Sequence, residues 1–428
     1  MLLVAVDATV LNLAIPAITT DLNAGATQML WILDVYSLVL AGLLVSAGAL
    51  SDRLGRRRVL LFGCALFGVA SAAAAYAPSA EALIAARVLM GIGGATIMPS
   101  TLAIVRSVFE EPRERTLAIG LWSAMAAAGA AVGPILGGVL LERFWWGSVF
   151  LVNVPILLVL LVVGALVLPE LRGTTAGRWD WPGAGASMVG LVALVLAIKE
   201  IAAEGLTATT VAAALTAALA LSWFVRRQLR TTAPLLNVRM FRHRAFTGAV
   251  LGNLIALLAL SGLLLFLSQH LQLVDDLSPL EAGVCLLPLT LGALIGAPLA
   301  AGAVRRAGAG VAVSGGLALA AVGMVGFSLT LDAPFAALAA AMAALGAGVG
   351  LALTATSDAI VSAAPPEKAG SASSISETAY ELGTGLGIAV LGSVLAALYT
   401  AGLPAGLPGD SLAETLALAP TAAAAGTA

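Results

Sequence analysis

Ionisable side chains interrupt several of the long apolar runs of this sequence. Placing one charge at the centre of a bilayer costs about 2.5 to 3.5 kcal/mol on insertion scales, so an ionisable residue there is a candidate for binding a charged solute or a proton. We predict such a role for five residues: Asp7, Asp34, Arg87, Glu377 and Glu381. Arg87 is the one deep cation among them.

Two of these acids are spaced for a joint role. Glu377 and Glu381 are four residues apart and therefore share one face of a helix, where their carboxylates repel each other. Such a pair can bind and release a proton, and in an apolar pocket it can also meet a cationic ligand. The alternative for every acid in these runs is that it caps a helix or reaches the interface, and this alternative is strongest for Asp358, near the end of its run.

A glycine and proline cluster marks one apolar segment as a candidate moving part. Small residues permit close helix approach, and an internal proline removes a backbone hydrogen bond and kinks the helix. The kink is predicted from Gly129, Gly133, Pro134, Gly137 and Gly138.

The composition requires elements that lie in a lipid bilayer. Of the 428 residues, 60% are hydrophobic and only 10% are charged, against about 25% charged in soluble domains. A bilayer core about 30 Å thick needs about 20 apolar residues per helix, and the chain offers about thirteen such runs. The predicted spans are 1–18, 29–50, 59–76, 82–105, 117–140, 149–168, 184–198, 209–224, 246–267, 282–303, 311–329, 335–360 and 375–399.

The cations between the spans predict the orientation of the chain. Lys and Arg in short loops are held on the cytoplasmic side, and most of the 21 cations follow every second span. Arg143 and Lys199 are the exceptions, because both are predicted to lie in outer loops. The N-terminus is therefore predicted to be cytoplasmic. An even number of spans needs one more helix after Tyr399, so the last helix is expected to be missing.

Several other classes of protein are disfavoured. A net charge of -2 gives no basic field for nucleic acid. Cys64 and Cys285 lie inside apolar runs without metal-ligand spacing, and His243 and His270 are far apart. We therefore expect no metal, no cofactor and no enzymatic site.

The loop after the second span carries a family signature. It runs from Gly48 to Arg58, and it resembles the signature of the major facilitator superfamily. The resemblance implies a cytoplasmic latch, formed in that family by the Asp and the first Arg. Its residues here are Gly48, Asp52, Arg53, Gly55 and Arg56. A degenerate echo follows span ten, with Arg305 and Arg306 but no Asp.

Further motifs resemble the fourteen-helix drug:proton antiporter branch of that superfamily. They are the start of span one around Asp7, Arg87 with Gly91, and the Gly-Pro run of span five. The resemblance implies an all-α polytopic membrane protein with the major facilitator fold, in which two inserted helices separate two six-helix halves. The expected domains are residues 1–170, the N-terminal half; 171–240, the inserted pair and a cytoplasmic linker; and 241–428, the C-terminal half, incomplete at its end.

Within that branch, the runs around Asp34, Trp146 to Pro155 and Glu377 to Gly383 are similar to QacA- and SmvA-like exporters of quaternary ammonium cations. The resemblance implies a monomeric, proton-coupled multidrug antiporter of the bacterial plasma membrane that works by alternating access. Its partners are organic cations and membrane lipid, and protons are its coupling ion. Two alternatives remain open: export of an endogenous metabolite or antibiotic, and a non-transporting sensor or inactive fragment.

Overall fold

The structure, a computed structural model, describes residues 2–109, 111–170, 180–231, 234–236, 238–330, 334–362 and 369–402. Every regular element within these ranges is a helix. Three cations of the predicted inner loops lie outside these ranges: Arg172, Arg178 and Lys368. Everything after residue 402 also lies outside them. The α-helices are α1 (Leu2–Leu22), α2 (Ala26–Leu54), α3 (Arg56–Ala75), α4 (Ala80–Val108), α5 (Pro112–Arg143), α6 (Ser148–Leu151), α7 (Asn153–Val167), α8 (Trp181–Ala203), α9 (Ala208–Arg230), α10 (Arg244–Gln269), α11 (Pro279–Cys285), α12 (Leu287–Ala307), α13 (Ala309–Leu329), α14 (Phe335–Ser362) and α15 (Ala369–Gly402).

The helices coincide with the predicted spans, and the predicted all-helical membrane fold is confirmed. Within the described ranges, 12 helical segments are long and apolar enough to cross a membrane. The remaining predicted span, 117–140, lies within α5.

Helices α1 to α7 surround one apolar core. Phe67, Phe150 and Leu11 are among its fully buried side chains. Small residues bring α3 and α4 together, since a Cβ placed on Gly93 would lie 3.0 Å from the backbone carbonyl oxygen of Gly63. In a bilayer, where water does not drive helices together, such close van der Waals contact is a main source of association.

Helices α10 to α14 surround a second core, which contains Phe327, Met342 and Leu345, and α15 packs against α10. Here α12 and α14 are in backbone contact, because a side chain on Gly292 or Gly296 would overlap the carbonyl groups of α14. Both bundles therefore use glycine to close their helix pairs.

Helices α8 and α9 stand beside the two bundles, and α8 packs against α2 and α15. Asp180 ties the pair together: its carboxylate accepts hydrogen bonds from the N–H of Gly183 at 3.0 Å, from Arg227 Nε at 2.6 Å and from Gln228 Nε2 at 3.1 Å. Burial alone would raise the pKa of Asp180, but these bonds outweigh it and lower that pKa. The carboxylate therefore stays ionised at neutral pH.

The bundles meet along α1 with α10, α2 with α15, and α5 with α11. The hydroxyl of Ser268 on α10 donates to the carbonyl oxygen of Asn12 on α1 at 2.6 Å, and Leu13 of α1 lies in the core of the second bundle. A Cβ on Gly392 of α15 would lie 2.5 Å from the Leu30 side chain of α2. These contacts lie toward the helix ends that are predicted to face outward.

Two loop glycines show that the bundles repeat each other. Gly55 joins α2 to α3 with φ +109°, and Gly308 joins α12 to α13 with φ +85°. L-residues with a Cβ rarely adopt these angles, and each glycine follows the second span of its bundle. The degenerate echo seen in the sequence is therefore also a repeat in backbone geometry.

We predict that Gly138→Ala destabilises the contact between the bundles. A Cβ on Gly138 of α5 would lie 2.5 Å from Leu280 Cα and 2.8 Å from Pro279 O, so the α11 backbone must move. Overpacking of this kind costs about 1–3 kcal/mol, and the thermal unfolding midpoint in detergent should fall.

The matched control is Gly185→Ala on α8, where a Cβ would meet nothing within 4 Å. Alanine is the better helix former by about 0.5–1 kcal/mol, so this variant should unfold at or above the wild-type midpoint. Equal midpoints for the two variants would contradict the predicted contact.

Candidate functional site

Arg87 and Asp7 form an ion pair inside the first bundle. Arg87 Nη1 lies 2.7 Å from Asp7 Oδ2, and the two residues are 1% and 3% exposed. The pair joins α4 to α1, two of the helices whose sequence motifs were singled out. The structure therefore brings these two predicted residues together.

The remaining polar atoms of this pair are also satisfied. Asn153 Nδ2 donates to Asp7 Oδ1 at 3.1 Å and lies 3.3 Å from the hydroxyl of Ser71. Arg87 Nε and Nη2 donate to the carbonyl oxygens of Ile32 and Leu33 at 3.1 and 3.4 Å, and its guanidinium carbon lies 4.6 Å from the Tyr36 ring centroid. A buried pair is stable only with such additional hydrogen bonds.

Asp34 forms a second buried ion pair with Lys199 of α8. Lys199 Nζ lies 2.9 Å from Oδ2 and 3.1 Å from Oδ1 of Asp34, and it lies 3.7 Å from the Trp31 ring centroid. The prediction that Lys199 lies in an outer loop is wrong. Helix α8 continues to Ala203, so the lysine stays inside the helix and is a second deep cation beside Arg87.

The two acids of α15 lie on a helix that packs against both α2 and α8. Glu381 is buried and accepts a hydrogen bond from Ser37 of α2. It also lies within electrostatic range of Arg87 and Tyr36. Glu377, one turn earlier, is only partly buried. The predicted shared face of these carboxylates therefore points toward α2.

Helix α2 connects all of these groups. Every residue from Ile32 to Ala41 is buried, and within that stretch Tyr36 faces Arg87, Ser37 contacts Glu381 and Asp34 holds Lys199. The stretch thus contacts helices of the first bundle, α15 of the second bundle and α8. Three charged networks meet on one helix.

Residues of the predicted latch connect helices at one end of the first bundle, where α2 ends and α3 begins. Arg56 donates to the carbonyl oxygen of Ala103 at 3.0 Å and to Ser107 at the end of α4. A Cβ on Gly55 would overlap the Glu170 carboxylate. Gly48 faces Pro99 at ordinary contact distance, and Arg53 is in the last turn of α2. The side chain of Asp52 lies outside the described residues, so the latch itself stays a prediction.

The glycines of the predicted kink line two helix contacts of α5. Gly129, Gly133 and Gly137 face Leu2, Thr9 and Val10 of α1. Gly138 faces α11, and Pro134 lies inside α5 with its carbonyl oxygen 2.5 Å from where a Cβ of Gly283 would stand. These small residues therefore serve close packing on both sides of the helix.

A cavity of about 580 Å³ lies between the bundles at the predicted outer end, away from the buried acids. Asp21 lines it together with Thr20 and Gln272, and the Asp21 carboxylate accepts a hydrogen bond from Trp146 Nε1 at 2.6 Å. Within the described ranges, no group of three or more His, Cys, Asp or Glu could hold a metal ion.

Sequence reasoning did not single out several residues of the site, among them Lys199, Trp31, Tyr36, Ser37 and Asn153. Lys199 could have been found by extending the seventh span past Ile198, because Ile201, Ala202 and Ala203 continue the apolar run. Asn153 lies in the Trp146 to Pro155 run but has no charge to mark it. The roles of Ser37 and Trp31 depend on neighbours from distant helices.

The comparisons with known proteins agree with this architecture. A sequence profile described as Major Facilitator Superfamily matches residues 1–388. The chain is 46% identical over 400 residues to the multidrug efflux pump LfrA of Mycolicibacterium smegmatis, an alignment that covers 93% of this chain and 79% of that protein. It is 43% identical over 399 residues to the methyl viologen resistance protein SmvA of Salmonella typhimurium, with 92% and 80% covered.

A further relative is the tetracenomycin C resistance and export protein of Streptomyces glaucescens, 37% identical over 401 residues, with 93% of this chain and 74% of that protein covered. Among solved structures, an inward-facing, unoccupied bacterial homologue of the lysosomal transporter Spinster superposes with a TM-score of 0.61 at 18% identity, covering 94% and 80% of the two chains. The partially occluded, inward-open xylose transporter XylE of E. coli gives 0.57 at 15% identity, with 94% and 96% covered. At these identities the structures show the fold alone.

We predict that Asp7→Asn and Arg87→Gln each lower the free energy of unfolding strongly. The double variant should lose less unfolding free energy than the sum of the two single losses. Removing one partner of a buried pair leaves an uncompensated charge, at a cost of about 3–5 kcal/mol. The coupling between contacting residues is then about 0.5–3 kcal/mol. Thermal unfolding of all three variants in detergent measures it.

The matched control is Arg58→Gln, which breaks the pair of Arg58 with Glu170 at 3.5 Å, where the arginine side chain is 69% exposed. Exposed pairs contribute about 0–1 kcal/mol, so the midpoint should barely move. Strict additivity of the Asp7 and Arg87 variants would show that the two residues are not coupled.

Proposed function

The chain belongs to the major facilitator superfamily, and on that premise we propose that it is a drug efflux transporter which exchanges lipophilic organic cations for protons across the bacterial plasma membrane. A transporter role, unlike an enzymatic one, agrees with the family and with the fold. We propose further that the N-terminus lies in the cytoplasm, that membrane lipid surrounds the helices and that the functional unit is a monomer.

The observation that carries this proposal is the meeting of buried carboxylates at α2. Asp34 lies in the buried stretch of α2, and Glu381 of α15 lies beside Ser37, three residues further along the same stretch, at the junction of the two bundles. Carboxylates in an apolar surrounding attract a cation far more strongly than they would in water. The same groups can be neutralised by a proton, so one site can serve both ions.

The names of the relatives support a substrate that is a lipophilic organic cation. One is a multidrug efflux pump and another confers resistance to methyl viologen, which is an organic dication with flat apolar rings. A site that combines buried acids with Trp31 and Tyr36 suits such a molecule, because aromatic faces and carboxylates both attract organic cations.

The mechanism is alternating access between the two bundles. Opening toward the outside requires separation of the contacts between α1 and α10 and between α5 and α11. A cation bound to a carboxylate is released outward when a proton from outside removes the counter-charge. Drug and proton therefore need not occupy the site together.

A second candidate is export of an antibiotic that the producing cell itself makes. It is favoured by the likeness to the tetracenomycin C resistance and export protein and to the puromycin resistance protein of Streptomyces alboniger, 35% identical over 399 residues. A transport panel that includes neutral and anionic antibiotics beside organic cations separates the two candidates.

We predict that cells expressing the chain expel ethidium and that a proton uncoupler abolishes this efflux. Asp34→Asn, Glu377→Gln and Glu381→Gln should each lower the initial rate about tenfold or more, since loss of about 1.4 kcal/mol of attraction already corresponds to a factor of ten. Ethidium fluorescence in cells with matched expression measures the rates.

The control is Glu204→Gln, at the exposed end of α8, which should transport ethidium at the wild-type rate. Efflux that persists under the uncoupler would contradict proton coupling. Unchanged rates in all three acid variants would contradict the assignment of the buried carboxylates.

A further inference from the structure

The ammonium group of Lys199 lies in a buried cation cage formed by Asp34 and Trp31. Both oxygens of Asp34 lie within 3.1 Å of it, and the face of Trp31 covers it at 3.7 Å from the ring centroid. Asp34 is 0% and Lys199 2% exposed. Asp34 and Trp31, which form the cage, belong to α2, whereas Lys199 belongs to α8.

A carboxylate next to an indole face is also how proteins recognise a ligand cation. The ring quadrupole attracts a cation that lies within about 6 Å of the centroid, and quaternary ammonium ligands are bound in aromatic cages on this basis. The chemistry that holds Lys199 is therefore the chemistry that an organic cation requires. Lysine and substrate cannot both occupy the same cage.

Contacts other than this charge pair also anchor α8. Ser187 of α8 donates to the carbonyl oxygen of Gly42 on α2 at 3.3 Å, and Val195 packs with Leu38 and Ala389 in an apolar cluster that joins α8, α2 and α15. Buried ion pairs can often be replaced by apolar residues without loss of stability. A purely structural role therefore leaves the presence of the lysine unexplained.

We propose that Lys199 is a built-in competitor of the transported cation, which binds Asp34 and Trp31 only by displacing the lysine ammonium. This inference rests on the proposed export of organic cations and adds a specificity-determining residue to it. Lys199 keeps Asp34 neutralised when no substrate is present. It also excludes cations whose affinity for the cage is lower than that of the tethered ammonium.

The first test is equilibrium binding of tetraphenylphosphonium to the full chain in lipid nanodiscs. Lys199→Gln and Lys199→Met, which differ in polarity but both lack the charge, should lower the Kd about tenfold. Lys199→Arg keeps a cation in the cage and should bind within about twofold of wild type. The factor of ten corresponds to a competitor worth about 1.4 kcal/mol.

The matched control is Ser187→Ala, which removes the other polar contact between α8 and α2 and should leave the Kd unchanged. An unchanged or higher Kd in both Lys199→Gln and Lys199→Met overturns the inference while the proposed function stands. If wild type shows no saturable binding of tetraphenylphosphonium, the proposed function and the inference both fail.

A second test measures the wild-type protein and uses a variant only to assign one signal. The chain has one other lysine, Lys368, so labelling with [ε-13C]lysine gives two signals, which Lys199→Arg assigns. Because Lys199 lies over the face of Trp31, the ring current should shift the resonance of the Lys199 ε-methylene protons upfield. Saturation with tetraphenylphosphonium should move that signal toward the position of free lysine, and a Lys199 signal that stays in place at saturation overturns the inference.

Discussion

A charge inside an apolar helix bundle persists only when an opposite charge or a set of hydrogen bonds neutralises it, and here α2 provides the surface on which that happens. Asp7 with Arg87, Asp34 with Lys199 and Ser37 with Glu381 all contact or flank its stretch from Ile32 to Ala41. Because that stretch is buried on every side, moving α2 relative to its neighbours disturbs several of these interactions together. The proposed coupling of ion binding to helix movement depends on this shared element.

The architecture could be predicted from the sequence because membrane helices obey a local rule. About 20 apolar residues make a span wherever they occur, so helix number and position do not depend on distant contacts. The acids could be found for the same reason, since a charge within an apolar run is conspicuous. The family pattern also predicts that α8 and α9 are an inserted pair, and this stays a prediction.

Partners across the bundle could not be predicted in the same way. Asp34 and Lys199 are 165 residues apart in the chain, and nothing local states that they meet. The span containing Lys199 was ended too early because a lysine was treated as a boundary, although a buried lysine can stay in a helix when a carboxylate faces it. Asn153 and Ser37 are neutral, and their importance lies in the charge that each one contacts.

The two ion pairs differ in how many parts of the protein they join. The Asp7 and Arg87 network is built within the first bundle from α1, α2, α3, α4 and α7, so it can remain intact when the two bundles move as rigid bodies. The environment of Asp34 draws on α2, α8 and α15, and therefore on both bundles and on a helix beside them. The first pair thus behaves as an internal brace, whereas the surroundings of the second change whenever any of its three helices is displaced.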